Sequence, residues 1–321
     1  MDLIAEIKEQ VEKNIKDYIE KFETRKDIID VIYEYISRDA KRIRPVIMIL
    51  SAKAIDKQRL KIFEKTAIAI ELFHNFTLIH DDIEDGSYYR RGKPTLHVLY
   101  GEPLAINFGD ALFNVVWHSI IESGLTKNEM LLINKTFQEV VEGQHIEISA
   151  VHEERFDLAY EDYYEIASKK TGALIALCIA LPFYKKSKKT FKKVYKSVKE
   201  LGIAFQILDD VLNLTGDFEK YKKKIGDDIT EGKRTLMVIY TMKNSKDKDE
   251  LKAILSSHTK DEEKIKRAIQ IIKESGAIEF AKNKAKELVD KNLPILKQAF
   301  PDCEEKEALM SIVNMFINRE K

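Results

Sequence analysis

The sequence predicts an all-α fold, one large helical bundle spanning residues 1–321, and three observations predict it. Apolar residues recur at three- and four-residue spacing along almost the whole chain, while alternating patterns of strand type are weak. Only 12 Gly and 6 Pro punctuate 321 residues, so long helices need few turns between them. No 30-odd-residue repeat and no linker divides the chain.

Taken in order, the first segment, MDLIAEIKEQ, is charged and amphipathic and lacks the apolar core of a signal peptide. Between Glu64 and Asp85, Ile68, Leu72, Leu78 and Ile79 stand among Ala67, Ala69, Phe73 and Phe76, a density that predicts a helix buried on most sides. A loop rich in Arg and Tyr follows from Gly86 to Pro94. The uncharged stretch Thr171–Tyr184 falls short of the roughly 20 residues that a membrane span requires. A second apolar helix, Val198–Leu214, carries Leu201, Ala204, Phe205 and Leu208, and leads into a loop from Gly216 to Gly232 rich in Lys, Gly and Asp. From about Asp247 onward amphipathic helices with solvated Lys and Glu faces are expected, with a stop at Gly276 and a break at Pro294.

Charge excludes some function classes. With 54 basic and 54 acidic residues no global field recruits nucleic acid or an anionic membrane, so function rests on local charge. Cys178 and Cys303, isolated from each other, form neither a disulfide framework nor a zinc site, and they predict a reducing, cytoplasmic compartment; the charged N-terminus and the short uncharged stretch predict a soluble protein.

Local charge is concentrated at two places. LIHDDIED sets Asp81, Asp82, Glu84 and Asp85 at the end of the first buried helix. Asp81 and Asp85, four apart, share a face about 6 Å apart along the axis. Like charges at that spacing repel, and a helix C-terminus favours cations instead. A hard divalent cation reverses both penalties, because carboxylate oxygens suit Mg²⁺. FQILDDVLNLTGD repeats the logic with Asp209 and Asp210, and with Asn213 four residues after Asp209. Mg²⁺ usually keeps waters and bridges to substrate phosphates, so an anionic substrate and nearby cations are expected. Arg90 and Arg91 trail the first cluster; Lys222, Lys223, Lys224 and Lys233 trail the second. His74 lies seven residues before Asp81, drifting only about 20° around the axis, so an imidazole on the Asp face can donate to phosphate. His80 is expected to be structural.

These motifs resemble the trans-prenyl diphosphate synthases, the polyprenyl synthetase family, from about Ala40 to Arg234. Asp81, Asp82 and Asp85 match its first Asp-Asp-x-x-Asp motif; Arg90, Arg91, Gly92 and Pro94 match its Arg-Arg-Gly-x-Pro. Phe205, Gln206, Asp209 and Asp210 match the second acidic motif, and Lys41, Arg42, Arg44 and Pro45 its Lys-Arg-x-Arg-Pro. Lys224, Gly226, Asp228, Glu231, Gly232 and Lys233 resemble its Lys-x-Gly-x-Asp and Glu-Gly-Lys patterns. Three departures stand out: Asp39-Ala40 replaces Gly-Gly, Asn213 replaces the last Asp of the second motif, and Glu147 replaces Asp after Gly143-Gln144, where it is expected to act through solvent.

The resemblance implies an isoprenoid synthase bundle around a central prenyl-binding cavity, usually a homodimer. It implies that Asp81, Asp85 and Asp209 ligate Mg²⁺, with Asp82 and Asp210 acting through water. Arg90, Lys170, Lys224 and Lys233 would contact an allylic diphosphate, and Lys41, Arg44, His74 and Arg91 the diphosphate of isopentenyl diphosphate. Thr171 and Gln206 would flank the allylic carbon as it becomes positive, and the departing diphosphate would accept the proton. Phe76, five residues before Asp81 and about 7–8 Å lower on the helix, and Phe73 are candidates to set product length. In the family an aromatic at that position goes with geranylgeranyl diphosphate, farnesyl diphosphate coming next. As rivals stand a class I terpene cyclase, a non-catalytic partner subunit, and a binding protein using Mg²⁺ for structure; turnover with isopentenyl diphosphate separates them.

Overall fold

The reason one helix dominates the first part of the protein is that α4 has almost no polar face. In the computed structural model, which describes residues 2–216 and 226–317, α1 (Leu3–Glu20), α2 (Lys26–Ile36) and α3 (Ile43–Ile55) lead to α4 (Leu60–Glu84). Phe63, Ala67, Ile68, Ala69, Ile70, Leu72, Phe73 and Ile79 of α4 are all buried. Each large apolar side chain so enclosed contributes about 1.5–3 kcal/mol. Their neighbours are α3 and α6 (Glu102–Glu122). Pro45 is tolerated inside α3 because it sits in the first turn, where backbone N–H groups have no helical partner.

A two-stranded hairpin, β1 (Tyr89–Arg90) and β2 (Lys93–Pro94), replaces the loop expected after α4. Its two linking residues, Arg91 and Gly92, have φ of 55° and 74°, as a type I′ turn requires. Gly92 adopts this freely, whereas Arg91 bears a cost of about 1–2 kcal/mol. After α5 (Leu96–Tyr100), helix α6, unlike the stretch Thr171–Tyr184, is long and apolar enough to cross a membrane by length and composition alone. Packing against α4 accounts for its apolar face, and Asp110, with a largely exposed side chain, lies near its centre, where a span tolerates charge poorly.

Next come α7 (Lys127–His152), α8 (Tyr160–Ala167), a π-helical turn (Ser168–Gly172), α9 (Ala173–Ala180), α10 (Phe183–Lys186) and α11 (Lys188–Thr215). The last helices are α12 (Asp227–Thr230), α13 (Leu236–Asn244), α14 (Lys248–Ser256), α15 (Glu262–Glu274), α16 (Ala277–Ala299) and α17 (Glu304–Ile317). Two compact units result. One comprises Met1–Ile133, Cys178–Phe191 and Phe300–Ile312; the other comprises Asn134–Leu177, Lys192–Ala299 and Val313–Lys321. The core of the second unit is built by Ile207, Val211, Leu236, Ile239, Leu251, Leu255 and Ile272.

Gly276 ends a helix as expected, with φ 82° just past α15. Pro294 does not break one. It lies inside α16, where the ring forfeits one backbone hydrogen bond while buried Asn292 and Leu296 hold both sides in place. The expected Gly216–Gly232 loop also contains the one-turn helix α12, and its residues 217–225 lie outside those described.

Candidate active site

Helix α4 ends with Asp81 and Asp82 in its last turn and Asp85 as its C-cap. Asp82 is buried, and Arg90 of β1 reaches back to it, Nε donating to Oδ1 at 2.8 Å. Among the described residues the other oxygen, Oδ2, is enclosed and has no hydrogen-bond donor. Burial pushes the Asp82 carboxyl up despite the Arg90 charge. The hairpin thus brings a cation to the acidic helix end.

Beneath it four arginines gather around His74. Arg42, at a left-handed φ of 49°, ion-pairs with buried Glu71 at 2.8 Å. Arg91 donates to Asn75 Oδ1 at 3.1 Å. Arg44 is partly buried, and its Nε is enclosed with no acceptor among the described residues. Burial, reinforced by the charges of Arg44, Arg91, Arg90 and Arg42, holds the His74 imidazole well below its ordinary range, so it is neutral. Burial lowers the pKa values of Arg44 and Arg91 as well. Lys41, of the same predicted set, is exposed. The arrangement is a buried cationic concentration with two of its four guanidinium groups matched by carboxylates, a design suited to an anion.

In the second unit the π turn is seated by glycines. A Cβ on Gly143 of α7 would come within 2.7 Å of the Lys170 amide nitrogen, and one on Gly202 of α11 within 2.4 Å of the Gly172 Cα. These close approaches fix Lys170 and Thr171 between two helices. Lys170 pairs with Glu147, and this corrects the expectation that Glu147 acts through solvent: the longer side chain reaches the ammonium directly. Burial opposes the Glu147 charge, but Lys170 and Lys233 outweigh it and hold the carboxyl below its usual range.

From Thr171 a hydrogen-bond chain runs inward. Thr171 Oγ1 donates to Gln206 Oε1 at 2.7 Å, Gln206 Nε2 to Asp210 Oδ1 at 2.9 Å, and Tyr163 OH to Asp210 Oδ2 at 2.7 Å. Burial, with the charges of Asp228 and Asp209, drives the Asp210 carboxyl well above the carboxylate range. Asp209 is one residue earlier on α11 and partly buried. Lys233 ion-pairs with Asp228 at 3.8 Å and also with Glu231. Asn213 is buried; its Oδ1 and backbone carbonyl accept from the backbone amides of Asp228 and Gly226, so it anchors the returning chain. Lys222, Lys223 and Lys224 lie outside the described residues.

The chain-length candidates form an aromatic cluster. Ring centroids of Phe76 stand 5.7 Å from Phe73, 4.9 Å from Phe113 and 4.8 Å from His80. His80 also lies 3.4 Å from the Ile106 carbonyl oxygen. Phe113 and Trp117 of α6 extend the cluster, 6.4 Å apart.

Sequence reasoning missed Glu71, Asn75, Tyr163 and Phe113. Glu71 was findable, because a carboxylate set in the apolar run from Ala67 to Phe73 implies a buried partner. Tyr163 and Phe113 gave no signal; packing alone brings them to their partners. Among the described residues no three His, Cys, Asp or Glu side chains stand together as a ready ion cage. The donors nonetheless suit Mg²⁺, which binds few protein oxygens and completes its shell with water and phosphate. The enclosed Asp82 Oδ2 and the crowding of Asp210 by Asp228 and Asp209 both favour an added cation.

A sequence profile described as polyprenyl synthetase matches residues 26–272. A "Short chain isoprenyl diphosphate synthase" of Methanothermobacter thermautotrophicus is 33% identical over 328 aligned positions, covering 100% of this chain and 98% of the relative. One of the same name from Methanocaldococcus jannaschii is 36% identical, covering 86% of this chain and 84% of the relative. The crystal structure of a geranylgeranyl pyrophosphate synthetase from Pyrococcus horikoshii superposes with a TM-score of 0.87 at 31% identity, over 99% of this chain and 98% of that one. With its paired aspartate clusters, its arginine hairpin and a match that runs through nearly the whole length, the chain belongs to the polyprenyl synthetase family.

Proposed function

We propose that the protein is a trans-prenyltransferase that joins isopentenyl diphosphate head-to-tail to an allylic diphosphate, with geranylgeranyl diphosphate as the product. One observation carries the reading: two aspartate clusters, each on an apolar helix and each including a buried carboxylate, are accompanied by cations that suit a diphosphate. The names of the relatives support the same chemistry.

Asp81, Asp85 and Asp209 would hold Mg²⁺ directly, and Asp82 and Asp210 through water. When bound, the ion supplies Lewis-acid neutralisation of charge on the leaving diphosphate. Arg90, Lys170, Lys224 and Lys233 bind the allylic diphosphate, and Lys41, Arg44, His74 and Arg91 that of isopentenyl diphosphate. A neutral His74 serves here as a hydrogen-bond donor rather than as a charge. Thr171 and Gln206 present neutral oxygens to the growing allylic cation, and the aromatic wall keeps water from it. Phe76 with Phe73 and Phe113 blocks the growing tail.

The reading includes a homodimer in the cytoplasm. Leu99, Leu104, Ile106 and Ile121 are exposed on α5 and α6, a surface suited to a second copy, and the free thiols of Cys178 and Cys303 suit a reducing compartment. Purified protein with Mg²⁺, labelled isopentenyl diphosphate and dimethylallyl, geranyl or farnesyl diphosphate is expected to give products ending at twenty carbons. Chelation should abolish them. Hydrocarbon from the allylic substrate alone, or no turnover, overturns the proposal.

A further inference from the structure

Glu71 and Asn75 lie one turn apart on α4, 2% and 0% exposed. Arg42 satisfies the Glu71 carboxylate from one side through NH1. The Asn75 amide nitrogen faces two oxygens of Glu71, the backbone carbonyl at 2.7 Å and, at 3.3 Å, the same Oε1 that Arg42 engages. Two acceptors demand the NH₂ end, so the Asn75 amide has a single orientation and its Oδ1 points the other way. There it accepts from Arg91 NH1 at 3.1 Å.

The charge pattern gives this geometry a purpose. Arg42 and Arg90 each ion-pair with a carboxylate, Glu71 and Asp82 respectively. Among the described residues no carboxylate stands within ion-pair distance of Arg44 or Arg91. Arg91 is gripped by a neutral carbonyl, which fixes the guanidinium without cancelling its charge. An aspartate in that place would make a stronger bond, consume the charge and face Glu71 across one turn.

We infer that Asn75 is a positioning residue that aims Arg91 at the diphosphate of isopentenyl diphosphate while leaving its charge intact, with Glu71 locking the Asn75 amide. This rests on the reading of Arg91 given above. Calorimetric titration with isopentenyl diphosphate alone, alongside steady-state kinetics, tests it. Asn75→Asp, nearly isosteric, is expected to weaken isopentenyl diphosphate binding and raise its KM about 10-fold, a typical effect of one charge pair. The allylic KM and kcat should stay within about twofold of wild type. In an Arg91→Ala background the same change should alter the isopentenyl diphosphate KM less than about twofold, because its target is gone. Unchanged binding in Asn75→Asp overturns the inference, as does an equal loss with and without Arg91. Should Asn75→Asp fail to fold, Asn75→Ser, neutral and smaller, is expected to raise that KM about threefold or more, and no change there overturns it equally. Wild-type protein that binds no isopentenyl diphosphate would instead overturn the function proposed for the site, and this inference with it.

Discussion

The acidic end of α4 and the acidic stretch of α11 carry similar sequence, Asp-Asp after an apolar run, yet their surroundings differ. Around α4 the partners are guanidinium groups: Arg90 on Asp82, Arg42 on Glu71, with Arg44 and Arg91 beside a neutral His74. Around Asp210 they are neutral donors, Gln206 and Tyr163, with Thr171 at the far end. A surplus of fixed cations suits an anionic headgroup. A chain of neutral oxygens and amides suits a developing carbocation, which a cation would repel and a strong nucleophile would trap. One sequence motif thus sits in two electrostatic settings, and the difference comes from what packs against each helix.

The comparison breaks first at the carboxylates themselves. Asp81→Asn or Asp209→Asn should each lower kcat about 10²–10³-fold, the scale for losing one preorganised electrostatic group, with circular dichroism unchanged. Equal loss on both sides is expected if both clusters hold the metal; activity retained in Asp209→Asn would remove the second cluster from the site. Tyr163→Phe probes the neutral side. Losing one hydrogen bond to Asp210, worth about 1–1.5 kcal/mol, should reduce kcat about 10-fold and leave the KM for isopentenyl diphosphate unaltered, measured by steady-state kinetics. A change in that KM instead would erase the distinction between the two regions.

Phe76→Ala opens the aromatic wall below Asp81 and should shift the product ladder to longer chains on reversed-phase chromatography, and adding Phe113→Ala should shift it further. An unchanged ladder places the length limit elsewhere.

The smallest effect concerns His74. Its folded pKa lies well below the ordinary 6.5, so below pH 6.5 the unfolded chain takes up a proton that the folded protein refuses. Stability is therefore full above pH 6.5 and falls by up to about 1.4 kcal/mol per pH unit as the pH drops toward the folded value. Urea midpoints from pH 8 to pH 5 should show this slope in wild type and a shallower one in His74→Gln.

Sequence and structure divide the rest between them on physical grounds. Helix content, the two buried helices, the acidic ends with their trailing cations and the Gly276 stop follow from periodicity, charge spacing and backbone freedom, which are local properties readable along one strand of text. Pro294 within α16, the hairpin that turns Arg90 onto Asp82, and Glu147 on Lys170 were decided by tertiary packing, which outweighs local preference wherever a neighbour supplies a missing contact. Tyr163 lies 47 residues from Asp210 and Phe113 lies 37 from Phe76, so neither pairing has a local signature. The chain alone specified which chemistry is present; only folding selected which partner each charged or polar group would meet, because burial obliges such groups to find one and sequence distance does not say where.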